Sequence, residues 1–370
     1  MKPLQYLKTP FVQNPKIPLF CAAIWLLTIG QPACQKKIDK ASKAGSNIKS
    51  TWISDAFAVI ESGNYPRIRA IAWWHENFGQ SYLQINTSHE SLQAYQNGIG
   101  HPLFTGIPQF AGNKLQPDNN HIYHAAFPGF GGTEDQVSSQ KITDFEQLAG
   151  KPLAWVYFSS NWYDSIRFPE NNLLAIRQAG KVPFIRMMPR TNFTKGGPDP
   201  NYTMQRIIDG TYDSALAKYA AQIAGLGYPV LMEFGTEMNG NWFPWNGQYN
   251  GGGIKDQYGD PSYYDGPERF RDAYRHIIHI FKSNGAENVT WFFHVDAAGS
   301  PASQNAAWND VKYYYPGDDY VDWIGVSIYG AQTPNEDCIQ FEQSLKGVYD
   351  SLTKMSGKPI AVLEWATTEQ

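Results

Sequence analysis

Cysteine is scarce: three in 370 residues. Cys21 falls inside an apolar leader, Cys34 just after it, and Cys338 is left alone in the rest of the chain. A disulfide framework and a cysteine metal centre are both excluded by that count. Charge is scarce too, at 17% of residues with a net charge of −4. Without a basic field, nucleic acid is not an expected partner. No HxH or HExxH spacing gathers His75, Glu76, His294 and Asp296 into a ligand set, so neither a metal nor a cofactor is expected. A glycine-rich phosphate loop is also missing; FPGFGG comes closest and lacks the spacing.

The apolar run IPLFCAAIWLLTIG is 14 residues long. A membrane helix takes roughly 20, whereas a signal-peptide core is this short. Preceded by Lys2, Lys8 and Lys16, it marks residues 1–34 as a signal peptide. Ala33–Cys34 fits a lipoprotein cleavage site with Cys34 acylated as a lipid anchor, although Gln31 stands where an aliphatic residue is usual. The protein is therefore expected to be secreted or anchored at the outer membrane, as a monomer. Residues 35–50 are polar and read as a tether, leaving 51–370 for the folded body.

What the chain has in abundance is aromatic residues, 15% of the total, with 12 Trp and 22 Tyr. Aromatic faces bind the apolar faces of sugar rings, or else they fill a core. A unit also recurs: an amphipathic helix, a terminal Gly, a short link often carrying Pro, then a short apolar strand. SALAKYAAQIAGLG leads through YP to VLMEFG, and FEQSLKGVYDSLTKMSG leads through KP to IAVLEW. Gly suits the left-handed position past a helix, and near-continuous apolar strands suit a buried parallel sheet. Six such units, with IYHAAFPGF and VDWIGVSIYG, give eight strands. Eight helices are expected, including ones near SHESLQAYQNG and WNDVKYYY. The count implies a closed (β/α)8 barrel, a TIM barrel in the α/β class, rather than an open doubly wound sheet.

Barrel chemistry sits at the carboxyl ends of strands. YPVLMEFGTE ends in Glu237, and PIAVLEW carries Glu364 three strands on. Alternation along an extended strand would put Glu233, Gly235 and Glu237 on one face. Two carboxylates facing across a barrel mouth are the equipment of glycoside hydrolysis, one protonating the leaving oxygen and the other attacking or activating water. His294 and Asp296 end a strand between them and are expected to bond substrate or support Glu237. Arg186 or Arg190, on another strand, would fix a carboxylate.

EMNGNWFPW, beginning at Glu237, resembles the acid/base motif of glycoside hydrolase family 26, the β-mannanases and their relatives. FPGFGG, AWVYFSSNW, FIRMMPR, DPSYYDGPERFRDAYRHI, WFFHVD and IGVSIYG extend the resemblance over residues 51–370. It implies retaining hydrolysis of a plant-type β-linked polysaccharide, β-1,4-mannan first, with Glu237 as acid/base and Glu364 as nucleophile. It also implies that Tyr329 sits beside the nucleophile, that Trp242 and Trp245 line the sugar cleft with Asn239, and that Trp73 or Trp74 forms a sugar platform. Thr236 stands where the family usually has His, and Glu233 where mannanases often have Arg, so the subsites need not be those of a mannanase. Mixed-linkage β-glucan and β-xylan remain open as substrates, as does a non-catalytic polysaccharide-binding barrel. The order of the chain differs as well. TWISDAFAVIESGNYPRIRAIAWWHENF resembles the family's carboxyl-terminal end yet comes first, so the barrel is expected to be circularly permuted.

Overall fold

The computed structural model describes residues 48–193, 196–298 and 306–370. The expected signal peptide with Cys34, and residues 35–47 of the expected tether, lie outside them. Helix α1, Ile48–Glu61, starts three residues inside the stretch read as tether. Lys49 in its first turn is buried, and Trp52, Ile53, Ala56, Phe57 and Ile60 form one buried face at helical spacing.

Eight parallel strands follow. They are β1 (Ile68–Trp74), β2 (Ile122–Phe127), β3 (Trp155–Asn161), β4 (Val182–Met188), β5 (Val230–Phe234), β6 (Val289–Asp296), β7 (Trp323–Tyr329) and β8 (Ile360–Ala366). Each pairs with the next, from Ala126 against Val156 at β2–β3 to Ser327 against Glu364 at β7–β8. The ring closes through β1, which pairs in parallel with both β2 and β8. This is the closed (β/α)8 barrel that the alternating units imply. Its strands are buried almost throughout because side chains fill the interior and helices cover the outside.

The covering helices are α2 (His89–Ile99), α3 (Ser139–Ala149), α4 (Glu170–Gln178), the short α5 (Met204–Ile208), α6 (Asp213–Ala224), α7 (Asp265–Ser283) and α8 (Phe341–Met355). The helix expected near WNDVKYYY is two 3-10 turns instead, Ala307–Asn309 and Val311–Tyr313. Asp310 separates them and caps the second, accepting from the Lys312 amide. Asn309 and Tyr314 are spent on tying this segment to residues beyond β5: Asn309 Nδ2 donates to the Asn239 carbonyl, and the Gly247 amide donates to the Tyr314 hydroxyl. At the opposite end of the barrel, the hairpin of Gln109–Ala111 with Lys114–Gln116 bonds to the starts of β6 and β7 through the Leu115 amide to Thr290 Oγ1 and Trp323 Nε1 to the Leu115 carbonyl.

Candidate active site

Strand β5 ends at Phe234, so the expected alternation through Glu237 does not hold. Gly235 has φ 61° and Glu237 has φ 49°, both left-handed. A Cβ on Gly235 would lie 2.7 Å from the Phe270 ring, so glycine is required there twice over. A left-handed glutamate is strained by about 1–3 kcal/mol and persists only where its surroundings insist on it. Here the Glu237 amide donates to the His294 carbonyl at 3.0 Å, and the Gly240 amide donates to the Glu237 carbonyl at 2.8 Å. The turn lifts Glu237 away from Glu233 and towards Glu364.

Glu364 lies within β8 and is 5% exposed. Its Oε2 accepts the Tyr329 hydroxyl at 2.7 Å. Its Oε1 is 2.8 Å from Arg186 Nη2, but no N–H is aimed along that contact, and Oε1 accepts no hydrogen bond. An oxygen of Glu237 and an oxygen of Glu364 lie within 4.8 Å of each other. Burial pushes the Glu364 carboxyl up to about 7; Glu237 adds to this, while Arg186, His294 and the Tyr329 hydroxyl oppose it.

Beneath the pair runs a buried network. Arg186 Nε donates to Glu233 Oε1 at 2.9 Å, and Nη2 donates to Thr236 Oγ1 at 3.2 Å. Glu233 Oε2 meets His294 Nδ1 at 2.8 Å. A carboxylate only accepts, so Nδ1 carries the proton. His294 Nε2 bonds Ser327 Oγ at 2.8 Å. Burial would lower the His294 imidazolium, but Glu233 beside it outweighs that and raises it above the ordinary value. Burial would raise Glu233, yet His294 and Arg186 hold it below the ordinary value. For Arg186, the Glu364, Glu134 and Glu233 carboxylates outweigh burial and raise it further.

Trp242 is half-buried, and its Nε1 donates to Glu237 Oε2 at 2.8 Å, which places it at the cleft. Trp245 does not reach the cleft. It is fully buried, with Nε1 donating to the Thr236 carbonyl at 2.7 Å and its ring stacked on Phe243 at 4.4 Å. Of the two neighbours on β1, Trp73 faces the helix layer, edge-on to Trp365 at 4.7 Å and bonded to the Leu83 carbonyl. It is core, because successive strand residues face opposite sides. Trp74 faces the barrel interior, stacked on Phe127 at 4.2 Å, with Arg186 5.5 Å from its ring and its own Nε1 without a partner.

Three further expectations change, and the choice between two arginines is narrowed. Asn239 does not present its amide to a sugar: Nδ2 donates to the Asp296 carbonyl and Oδ1 accepts the Asp296 amide, a clamp between the acid turn and β6. Asp296 Oδ1 accepts the Ala298 amide and so shapes its own turn. His294 is bonded on both ring nitrogens and supports Glu233 rather than substrate. Arg190 Nε bonds Asn161 Oδ1 and its guanidinium lies 3.8 Å from the Phe193 ring, so Arg186 is the arginine that meets the carboxylate. Arg186, Glu233 and Thr236 form a unit that sequence alone does not reveal, since 47 residues separate Arg186 from Glu233.

Among the described residues, Glu237, His294 and Glu364 are the group of ligand-type side chains close enough to share a cation. Both His294 nitrogens are already engaged, which leaves it no lone pair for a metal. His75, weighed as a ligand, accepts the Ile85 amide at Nδ1, and burial pushes it down to about 3.

A left-handed glutamate after the fifth strand, a second glutamate on the eighth and an indole bonded to the first coincide with a match of residues 200–366 to the sequence model of Glycosyl hydrolase family 26. The match takes in 167 residues, somewhat under half of the chain. Endoglucanase H of Acetivibrio thermocellus is 27% identical over 239 residues, covering 63% of this chain and 23% of that protein. The mannan endo-1,4-β-mannosidase of Bacillus subtilis is 24% identical over 271 residues, covering 66% of each. The chain spans between about a quarter and two thirds of the length of these two relatives. Among solved structures, the catalytic domain of the Bacillus sp. JAMB-750 GH26 endo-β-1,4-mannanase aligns at 15% identity with a TM-score of 0.44, over 89% of this chain and 76% of that one.

Proposed function

We propose that the protein is a retaining, endo-acting glycoside hydrolase for a β-linked plant-type polysaccharide, β-1,4-mannan first. Retaining enzymes hold their two carboxyl groups about 5–5.5 Å apart, whereas inverting ones leave room for water at about 6.5–9.5 Å. The approach of Glu237 and Glu364 oxygens to within 4.8 Å carries the reading. Glu364 Oε1, with no hydrogen bond to break, attacks the anomeric carbon as Glu237 protonates the leaving oxygen. The nucleophile's charge is consumed in the glycosyl ester, and Glu237 then takes a proton from water that attacks the same carbon. Trp242 holds Glu237 Oε2, which leaves Oε1 to carry the proton. The juxtaposed glutamates weigh against a non-catalytic binding barrel.

A second reading, mixed-linkage β-glucan or β-xylan, is favoured by Thr236 and Glu233, whose side chains are tied up with Arg186 and His294, and by the match to Endoglucanase H. Soluble mannan, glucomannan, mixed-linkage β-glucan and xylan, each followed by product sizing, decide between them. No release from any of the four removes both readings.

Two further parts of the proposal concern the chain. Counting the ring from β2 puts Glu237 after the fourth strand and Glu364 on the seventh, with β1 as the eighth, which supports circular permutation. A rejoined chain with residues 51–100 placed after Gln370 should fold and keep activity. The leader supports secretion or a lipid anchor at Cys34. Cys34→Ser should release the protein from the membrane fraction if the anchor is real.

A further inference from the structure

We propose that Glu233 is a positioning residue for the nucleophile, acting through Arg186 to present one attacking oxygen of Glu364. The inference rests on Glu364 being the nucleophile. An arginine has five N–H donors in a fixed fork and would ordinarily grip a carboxylate with two of them. In this site it does not. Its Nε is committed to Glu233 Oε1 at 2.9 Å, and Nη2 is aimed at Thr236 Oγ1 at 3.2 Å. Nη1 reaches towards Glu134 Oε2 at 3.5 Å. The guanidinium also lies over the rings of Trp74 and Tyr157, at 5.5 and 5.6 Å.

Holding Nε fixes the plane of the fork. Nη2 then sits 2.8 Å from Glu364 Oε1 without an N–H directed at it. The oxygen feels the positive charge yet keeps its lone pair. Tyr329, meanwhile, holds the other oxygen at 2.7 Å, so attack is confined to Oε1.

Glu233 is itself held. Its Oε2 meets His294 Nδ1 at 2.8 Å, and Ser327 fixes the far side of that ring. The groups facing Glu364 are Tyr157 from β3, Arg186 from β4, Glu233 from β5, Glu237 from the turn after it, His294 from β6 and Tyr329 from β7. Take away Glu233 and Arg186 gains a free Nε with which to grip Glu364 on two sides.

The competing account is that Glu233 and Arg186 form a buried ion pair that only holds the barrel together. Buried pairs of that kind are often replaced by apolar residues at no loss of stability. Two substitutions separate the accounts. Glu233→Gln keeps an acceptor for Arg186 Nε; Glu233→Leu keeps the volume and removes it. Both are compared with wild type by kcat and KM on an activated aryl glycoside, and by the carboxyl 13C titration of Glu364 in the free protein, assigned from its loss in Glu364→Gln.

The expected result is that Glu233→Leu loses about a hundredfold in kcat with little change in KM, and that Glu364 titrates about one pH unit lower as Arg186 grips it. Glu233→Gln should stay within about tenfold of wild type. A folded Glu233→Leu with wild-type kcat, or with an unmoved Glu364 titration, overturns the proposal. If the Leu variant does not fold, Arg186→Lys decides: it keeps the charge without the planar fork, so a kcat loss of about tenfold or more supports positioning and a wild-type kcat refutes it. Should wild type cleave no glycoside at all, the proposed function fails, and the 13C titration still tells whether Glu233 governs Glu364.

Discussion

Trp242 Nε1 donates a 2.8 Å hydrogen bond to Oε2 of Glu237, a residue only five positions earlier in the chain. The contact is possible because the chain reverses in between, at a left-handed Glu237 and at Gly240, where a Cβ would come within 2.3 Å of the Trp242 ring. One short segment therefore supplies the proposed acid and the group that orients it.

Trp242→Phe keeps an aromatic ring and removes the donor, so Glu237 loses its orientation but not its carboxyl. With Glu237 protonated the bond is between neutral groups and contributes about 0.5–1.5 kcal/mol. Turnover of polysaccharide, whose leaving group needs a proton, should fall by about two- to tenfold. Glycosyl-enzyme formation from a dinitrophenyl glycoside, which needs no proton, should stay near the wild-type rate. Burst-phase kinetics on that substrate checks this, and equal losses on both substrates would mean that the indole binds sugar rather than orienting the acid.

The two glutamates should fail differently when removed. Glu364→Ala should abolish turnover of every substrate, because no glycosyl ester forms. Glu237→Ala should spare the first step on an activated aryl glycoside and stall the second. Added azide should then speed release and give a glycosyl azide of retained configuration, identified by NMR. An azide product of inverted configuration from the Glu364 variant, with no rescue of the Glu237 variant, would exchange the roles.

Much of this was legible in the sequence, and the rest was not for definite physical reasons. The helix–Gly–Pro–strand unit announces the barrel because capping and apolar runs are local properties. Glu364 stands out because a carboxylate in an apolar strand needs a reason. Trp245 and Trp73 misled the reading because an indole suits a sugar face and a core equally well. Their burial depends on strand register and on what Phe243 and Trp365 do nearby. The Asn239 amide looked free because its partners are the backbone of Asp296, 57 residues away. The Arg186–Glu233–His294 network joins three strands, and no spacing along the chain encodes it.

Stability should depend on a clasp near the two ends of the described fold. Lys49 Nζ donates to the Tyr82 carbonyl, the Gln84 carbonyl and Thr87 Oγ1 at 2.6–2.8 Å. Glu369 Oε1 accepts the hydroxyls of Thr87, Ser88 and Ser91. Lys49→Met keeps the apolar stem and strands two carbonyls, for a loss of about 3 kcal/mol. Urea unfolding checks the figure, and a variant within about 0.5 kcal/mol of wild type would show that water replaces the ammonium there.

Burial of Glu364, the proposed nucleophile, should also be visible in the pH dependence of stability. Glu364 titrates at about 7 in the folded protein against an ordinary value of 4.5, chiefly because burial penalises its charged form. Between those values the folded chain binds a proton that the unfolded chain does not. Its contribution is therefore fully present below pH 4.5 and is lost as pH rises through 7. The gap is worth on the order of 3 kcal/mol. Glu364→Gln has no such proton to lose. Measured by urea unfolding from pH 4.5 to 8, the stability of wild type relative to that variant should fall by this order and level off above pH 7. The acid limb of kcat/KM should lie near pH 7 as well, because attack needs the ionised carboxylate. Parallel stability curves for the two proteins would mean that Arg186 and Tyr329 offset burial completely, and the acid limb should then move well below 7.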